Sequence, residues 1–445
     1  RLRSNMIIVL NDNQMSISKN VGGMSNYLGK IRTDTNYTEL KQDVENALEK
    51  LPHFGNRLTE RIRGVKDLIK RIFIPGMLFE DMGITYIGPI DGHDIGQMVT
   101  AFNSASKLNA AVIVHVVTQK GKGYPPAQKD PSSFHGVGPF RVSDGTLLHS
   151  KKDVPTYTNV FQNVMLETMA DREDVVAISA AMPTGTGLAA VAEQYPDRFF
   201  DVGIAEEHAV TFAAGLALGG SRPVVALYST FLQRAYDQIL HDVCIGSLPV
   251  VFAVDRAGLV GSDGETHQGI FAFLSQMPNL TVMAPKNSQE LEDMFSFAFA
   301  QEGPVAIRYS RGAAYDGLSD HREAIRVGRS EWIHTGRDIA VIAVGSMVEV
   351  AVHAVEMLQQ KGLDPTLINA RFVKPMDEQM LKQVAAQHSI VVTMEDGVIT
   401  GGFGQAVAAW YAATERGEKC PKIVNIALPD AFIEHGTVQQ LRSKY

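Results

Sequence analysis

Short apolar runs recur along the chain, at residues 6–10 (MIIVL), 111–117 (AVIVHVV), 175–178, 223–228, 248–254 and 306–309. Runs without polar alternation read as strands buried on both faces of a parallel sheet. Helical patterns lie between the later runs, at residues 208–218 and 231–245. Thr230 and Gln233 have capping-box spacing at the start of the second helix, and Gly246 can stop it. Further strands are expected at residues 339–344, 365–369, 390–394 and 423–426, with Met347, Ala351, Ala354, Val355 and Leu358 on one face of an intervening helix. Residues 31–72 carry two more helical stripes, Leu40/Val44/Leu48 and Leu58/Ile62/Val65/Ile69, whose many Lys and Arg read as a solvated face. Residues 120–153 are rich in Gly, Pro, Ser and Lys and read as a long loop and linker. Strand alternating with helix predicts an α/β protein with mostly parallel sheets covered by helices. The expected domains are 1–153, 154–330 and 331–445.

Composition narrows the function classes. The 445 residues are 45% hydrophobic and 20% charged, which excludes wholesale disorder. Lys+Arg 41 against Asp+Glu 49 gives a net charge of −8, and a dedicated nucleic-acid binder usually carries a basic excess. The 2 cysteines, Cys244 and Cys420, cannot build a disulfide framework or a cysteine zinc site, so a reducing cytoplasm fits best. No apolar run approaches the roughly 20 residues that span a bilayer. The chain begins at Arg1 rather than Met, directly before a strand.

Several polar clusters sit where ligands bind in α/β folds, beyond the carboxyl ends of strands. Asn11-Asp12-Asn13-Gln14-Met15 offers oxygens suited to Mg²⁺, though on pattern alone it reads first as an Asx-rich turn. Glu206, Glu207 and His208 open a helix; an acid there either complements the helix dipole or hydrogen-bonds a cofactor. The densest cluster joins residues 228–238 to residues 255–269, with Arg256, Asp263 and His267 beyond one strand end and glycines at 258, 261, 264 and 269. Arg311 follows a neighbouring strand, and two such arginines make a natural phosphate clamp.

The stretches STFLQRAYDQ (229–238), DRAGLVGSDGETHQG (255–269), YIGPIDGHD (86–94) and FVKPMD (372–377) together resemble the 1-deoxy-D-xylulose-5-phosphate synthase family. The resemblance runs over nearly the whole chain. It implies a transketolase-like architecture: two thiamine-diphosphate-binding folds, the first for the diphosphate and Mg²⁺ and the second for the pyrimidine, plus a C-terminal domain. It implies a homodimeric cytoplasmic transferase that joins pyruvate, with loss of carbon dioxide, to D-glyceraldehyde 3-phosphate. The product feeds isoprenoid, thiamine and pyridoxal synthesis.

By this resemblance Asn13 is the side-chain ligand of Mg²⁺ and Met15 the backbone ligand. Glu206 hydrogen-bonds the aminopyrimidine ring, Phe231 lies against that ring, and Arg234 is a nearby polar contact. Tyr228, Arg256 and Arg311 form the phosphate clamp, and Asp263 and His267 face the acceptor's aldehyde and hydroxyl. Lys120 and His135 belong to a loop that closes over cofactor and intermediate. Asp91 and His93 fit a structural role as well as a catalytic one. The family pattern also has an upstream Gly-Asp-Gly segment and histidines, a terminal helix, and Phe-Asp where this sequence reads Ile270-Phe271. The isolated chain is therefore expected to bind thiamine diphosphate weakly and to turn over slowly or not at all. Another thiamine-dependent ketol transferase, or a non-catalytic dimerisation module, are the alternatives.

Overall fold

The computed structural model describes residues 5–16, 20, 22–33, 77–148, 154–267, 272–413 and 420–445. The expected helical stripes over residues 34–72 lie outside the described residues. The chain divides into two compact units, Arg1–Lys151 and Lys152–Tyr445.

In the first unit, β1 (Ile7–Asp12), β2 (Thr85–Asp91) and β3 (Val112–Val117) form a parallel sheet of order β1-β3-β2. The apolar runs at 6–10 and 111–117 become β1 and β3. The sequence reading has no strand at β2, because Gly88 and Pro89 break its apolar pattern. The structure absorbs them as a register shift between Ile87 and Ile90. A side chain at 88 would have nowhere to go: its Cβ would lie 2.6 Å from the His115 carbonyl oxygen. The expected loop at 120–153 also contains a short helix, Pro125–Lys129. Tyr124, Phe134 and Phe140 cluster around it with ring centroids 5.3–5.8 Å apart.

The second unit contains β4 (Val175–Ser179), β5 (Phe199–Asp201), β6 (Arg222–Tyr228), β7 (Val251–Ala257), β8 (Thr281–Met283) and β9 (Val305–Ser310), followed by β10 (Glu331–His334), β11 (Ala340–Ala343), β12 (Thr366–Asn369), β13 (Phe372–Lys374), β14 (Ile390–Val398) and β15 (Lys422–Leu428). The first group makes a sheet of order β13-β8-β9-β7-β6-β4-β5, parallel except for β13. The rest form β10-β12-β11-β14-β15, with only β10 antiparallel. Residues 372–374 thus leave the C-terminal sheet to edge the central one, across the expected boundary at 330/331. Helices cover the central sheet on both faces: Tyr157–Asp171 and Ser288–Phe299 on one, Glu206–Leu218 on the other.

Two local expectations are corrected. Thr230 and Gln233 do not form a capping box: the helix begins at Ser229, directly off β6, so Thr230 already lies inside its first turn. The helix expected at 231–245 runs unbroken over Ser229–Cys244, but changes type along its length and ends in a π-helical segment at Ile239–Cys244. Such wide turns re-aim the side chains before them and concentrate at functional sites.

Candidate active site

The central sheet gathers the charged clusters at the carboxyl ends of β6, β7 and β9. Tyr228 ends β6, and the chain turns into a helix within one residue. The Phe231 ring then stacks on Tyr228 with centroids 5.7 Å apart. His267 meets both edge-on, 5.2 Å from Phe231 and 6.2 Å from Tyr228. Burial pushes the Tyr228 phenol up, and the Arg256 guanidinium only partly offsets this.

Arg256 gets its aim from a break in β7. The pairing of β7 with β9 shifts register between Val254 and Ala257, and Arg256 has a left-handed φ of 62°. Such bulges redirect a strand side chain, and a non-glycine residue in this conformation is uncommon and must be held there by its surroundings. The guanidinium carbon lies 4.0 Å from the centre of the Tyr228 ring, in cation–π geometry. Nη1 donates to Asp255 Oδ2 at 2.7 Å and to the Gly185 carbonyl at 2.7 Å. Nε is buried and has no hydrogen-bond partner among the described residues. Asp255 is wholly buried; burial pushes its carboxyl up while Arg256 and the Thr158 hydroxyl pull it back.

Two further carboxylate–arginine pairs complete this side. Glu206 is 2% exposed at the start of helix Glu206–Leu218, where the helix dipole favours a negative charge. Arg234 Nη1 donates to its Oε2 at 2.6 Å. Arg311, beyond β9, pairs with Asp263 at 2.6 Å. The loop carrying Asp263 and His267 turns at Gly264, whose φ of 66° and ψ of −156° are open only to glycine.

In the first unit, the residues after β1 adopt the Asx turn. Asn13 Oδ1 accepts from Met15 N at 3.0 Å, and Gln14 takes a φ of 62°. Lys120 Nζ donates to the Ser16 carbonyl at 3.0 Å, and burial pushes its ammonium down. His135 is exposed in the loop after β3. Asp91 accepts from His93 N at 2.9 Å, and His93 Nε2 accepts from Gln119 N at 2.9 Å. The sequence reading overlooked a buried relay here: Asp12 Oδ2 lies 3.2 Å from His115 Nε2, and His115 Nδ1 lies 2.7 Å from the Tyr86 hydroxyl. Its signal was a lone histidine within an otherwise apolar strand. Among the described residues, no group of three His, Cys, Asp or Glu could hold a metal. No described helix is long and apolar enough to cross a membrane.

Three family models match the chain in order. They are 1-deoxy-D-xylulose-5-phosphate synthase at residues 1–118, the transketolase pyrimidine-binding domain at 153–315 and the transketolase C-terminal domain at 328–445. The 1-deoxy-D-xylulose-5-phosphate synthase of Lachnoclostridium phytofermentans is 57% identical over 100% of this chain and 71% of its own length. The chain belongs to the 1-deoxy-D-xylulose-5-phosphate synthase family. The synthase of Syntrophomonas wolfei is 49% identical over 98% of this chain and 68% of its own. Among solved structures, a split-gene transketolase described as an inactive beta4 tetramer is 28% identical, with a TM-score of 0.59 over 65% of this chain and 93% of its own. Transketolase from Campylobacter jejuni shares the fold at 14% identity, with a TM-score of 0.56 over 99% of this chain and 70% of its own. Synthase-family membership makes the chain an enzyme of the thiamine-diphosphate-dependent, transketolase-like class.

Of the residues expected to act in a synthase, the second unit brings Tyr228, Phe231, Arg256 and His267 together, and pairs Glu206 with Arg234 and Asp263 with Arg311. Asn13, Met15 and Lys120 gather around the turn after β1. Asp255, Thr158 and Gly185 were not singled out from sequence. The available signal was an acid closing a wholly apolar strand.

Proposed function

We propose that the chain joins pyruvate, with loss of carbon dioxide, to D-glyceraldehyde 3-phosphate, giving 1-deoxy-D-xylulose 5-phosphate. The observation that carries this reading is the Arg256 guanidinium. One nitrogen is anchored twice and the face rests on Tyr228, while Nε is buried without a partner. A buried donor left open costs free energy unless a ligand accepts from it. A phosphate oxygen, bound along the edge of the guanidinium, meets that need.

The residues also fit thiamine diphosphate at its pyrimidine end: a buried carboxylate, Glu206, and an aromatic surface, Phe231. When bound, the cofactor supplies the electron sink on which the C1–C2 bond of pyruvate breaks. Glu206 holds a proton at the pyrimidine ring nitrogen, and Arg234 keeps its carboxylate in place. Phe231 supports the ring and excludes water. His267 gives a proton to the aldehyde oxygen of the acceptor as the new carbon–carbon bond forms, and Asp263 orients the neighbouring hydroxyl. Tyr228, Arg256 and Arg311 bind the phosphate. Asn13 and the Met15 carbonyl would hold Mg²⁺, and Lys120 and His135 would belong to the loop that closes over cofactor and intermediate. On this reading residues 1–153 serve the diphosphate, 154–330 the pyrimidine and 331–445 the C-terminal domain. The enzyme works as a homodimer in the cytoplasm. The exposed apolar side chains Ile204, Leu218 and Ile245 offer surface for a partner copy, and both thiols are unpaired.

The test is Arg256→Ala in the active enzyme. Losing hydrogen bonds from a charged group costs about 1.5–3 kcal/mol, or roughly ten- to a hundredfold in KM for glyceraldehyde 3-phosphate. The KM for pyruvate should stay near its original value. Equal effects on both substrates would remove Arg256 from the clamp.

A further inference from the structure

An arginine at the end of a strand is a long, flexible side chain, and its use as a phosphate clamp depends on where it is held. Asp255 holds it at two points, backbone and side chain. Its Oδ1 accepts from the Arg256 backbone N–H at 2.6 Å, and its Oδ2 accepts from Arg256 Nη1 at 2.7 Å. The first bond fixes the left-handed backbone turn and the second fixes the guanidinium. Asp255 is itself seated by Thr158, whose hydroxyl donates to Oδ2 at 2.8 Å from 97 residues away in sequence. Thr158 lies in the first turn of helix Tyr157–Asp171, which a capping box of Thr156 and Asn159 starts at a defined residue. The cap therefore sets where the Thr158 hydroxyl points. Asp255 is wholly buried and the Arg256 side chain only 13% exposed, so water does not compete for these bonds.

We propose that Asp255, seated on Thr158, is the positioning residue that turns the open Nε edge of Arg256 toward the acceptor's phosphate, and so sets the enzyme's preference for a phosphorylated aldehyde. This inference rests on the clamp reading of Arg256. Asp255 does not touch the substrate. It acts by holding Nη1 on the carboxylate side, which leaves Nε for the ligand. Without it the guanidinium keeps only the Gly185 carbonyl and the Tyr228 face as guides. Placement within a fraction of an ångström matters for a bidentate contact.

The experiment compares Asp255→Asn, Thr158→Val, Thr158→Ser and Arg256→Ala in the active enzyme. Each variant is assayed with glyceraldehyde 3-phosphate and with unphosphorylated glyceraldehyde as acceptor, and its thermal unfolding is recorded. Asp255→Asn should raise the KM for the phosphorylated acceptor about tenfold, the scale of a lost charged hydrogen bond. The KM for pyruvate and the activity with glyceraldehyde should stay unchanged. Thr158→Val should shift the same KM in the same direction, and Thr158→Ser, which keeps the hydroxyl, should restore it. A merely structural role would lower kcat with both acceptors in proportion to lost folding, and serine would not rescue selectively. Should Asp255→Asn not fold, the valine–serine pair decides alone. If Arg256→Ala loses phosphate preference while Asp255→Asn and Thr158→Val keep it, the clamp stands and the positioning role falls. If Arg256→Ala keeps the preference, the clamp reading itself fails.

Discussion

Glu331→Gln probes how the C-terminal sheet is fastened to the central one. Four charged side chains, Lys286, Glu290, Glu331 and Arg371, are each 2% exposed or less. Lys286 Nζ lies 2.8 Å from Glu331 and 3.2 Å from Glu290, and Arg371 donates to each carboxylate at 2.7 Å. Asn369 adds bonds to both acids. Two positive and two negative charges cancel. Glutamine at 331 leaves one net positive charge sealed from water, and its NH₂ cannot accept from lysine or arginine. Breaking a buried pair from one side costs about 3–5 kcal/mol. Urea unfolding near neutral pH, followed by fluorescence of the adjacent Trp332, should show that loss. Lys286→Met combined with Glu331→Gln removes one charge of each sign. The double variant should be less destabilised than the two single losses summed, by about 1–3 kcal/mol. Burial works to raise the Glu331 carboxyl, yet Lys286 and Arg371 outweigh it and hold it below the usual glutamate range. A depressed folded pKa means a contribution present in full above the unfolded value of about 4.3. It is lost as pH falls through the folded value, so the gap between wild type and Glu331→Gln should close in acid. A loss under about 1 kcal/mol, or strict additivity, would refute the idea of one coupled cage.

Two further outcomes are expected. Glu206→Gln should abolish thiamine-dependent carbon dioxide release from pyruvate while leaving the urea midpoint nearly unchanged, because its partner Arg234 is half exposed and can turn to water. Near-normal turnover would end the assignment of Glu206 to the pyrimidine. Cys244 is buried, which pushes its thiol up to about 11, so thiolate is scarce there at mildly alkaline pH. Native protein should therefore take up iodoacetamide at exposed Cys420 and not at Cys244, with peptide mass spectrometry as the check.

The parallel core was legible because strands buried on both faces leave an unbroken apolar signature, as in residues 175–178 and 223–228. What was lost shares one cause: contacts made between distant parts of the chain. β2 was hidden because Gly88 and Pro89 interrupt its apolar pattern, and Gly88 is required only by the close approach of His115 on β3. The seating of β13 on β8 joins segments about ninety residues apart and has no local pattern. Lys286, Glu290, Glu331 and Arg371 read as solvated charges one at a time; only the folded chain shows that each one's partner is also buried. The site showed the reverse balance. Its residues stood out in dense polar clusters at strand ends, yet their roles within the cluster depended on Thr158 and Gly185, which come from elsewhere.

Arg256 and Arg311 are each matched to a carboxylate, but in unequal surroundings. Arg256 and Asp255 are 13% and 0% exposed, held by further bonds on both sides. Breaking that pair would strand a buried charge, so Arg256 is held in place, as the proposed clamp requires. Arg311 and Asp263 are 39% and 27% exposed. An exposed pair is worth at most about 1 kcal/mol, less than the charge-assisted bonds a phosphate dianion offers. On the proposed clamp, a phosphate would compete with Asp263 for Arg311. A buried arginine and a more exposed one thus stand at neighbouring strand ends. Both follow from how deeply β7 and β9 bury the residues at their ends.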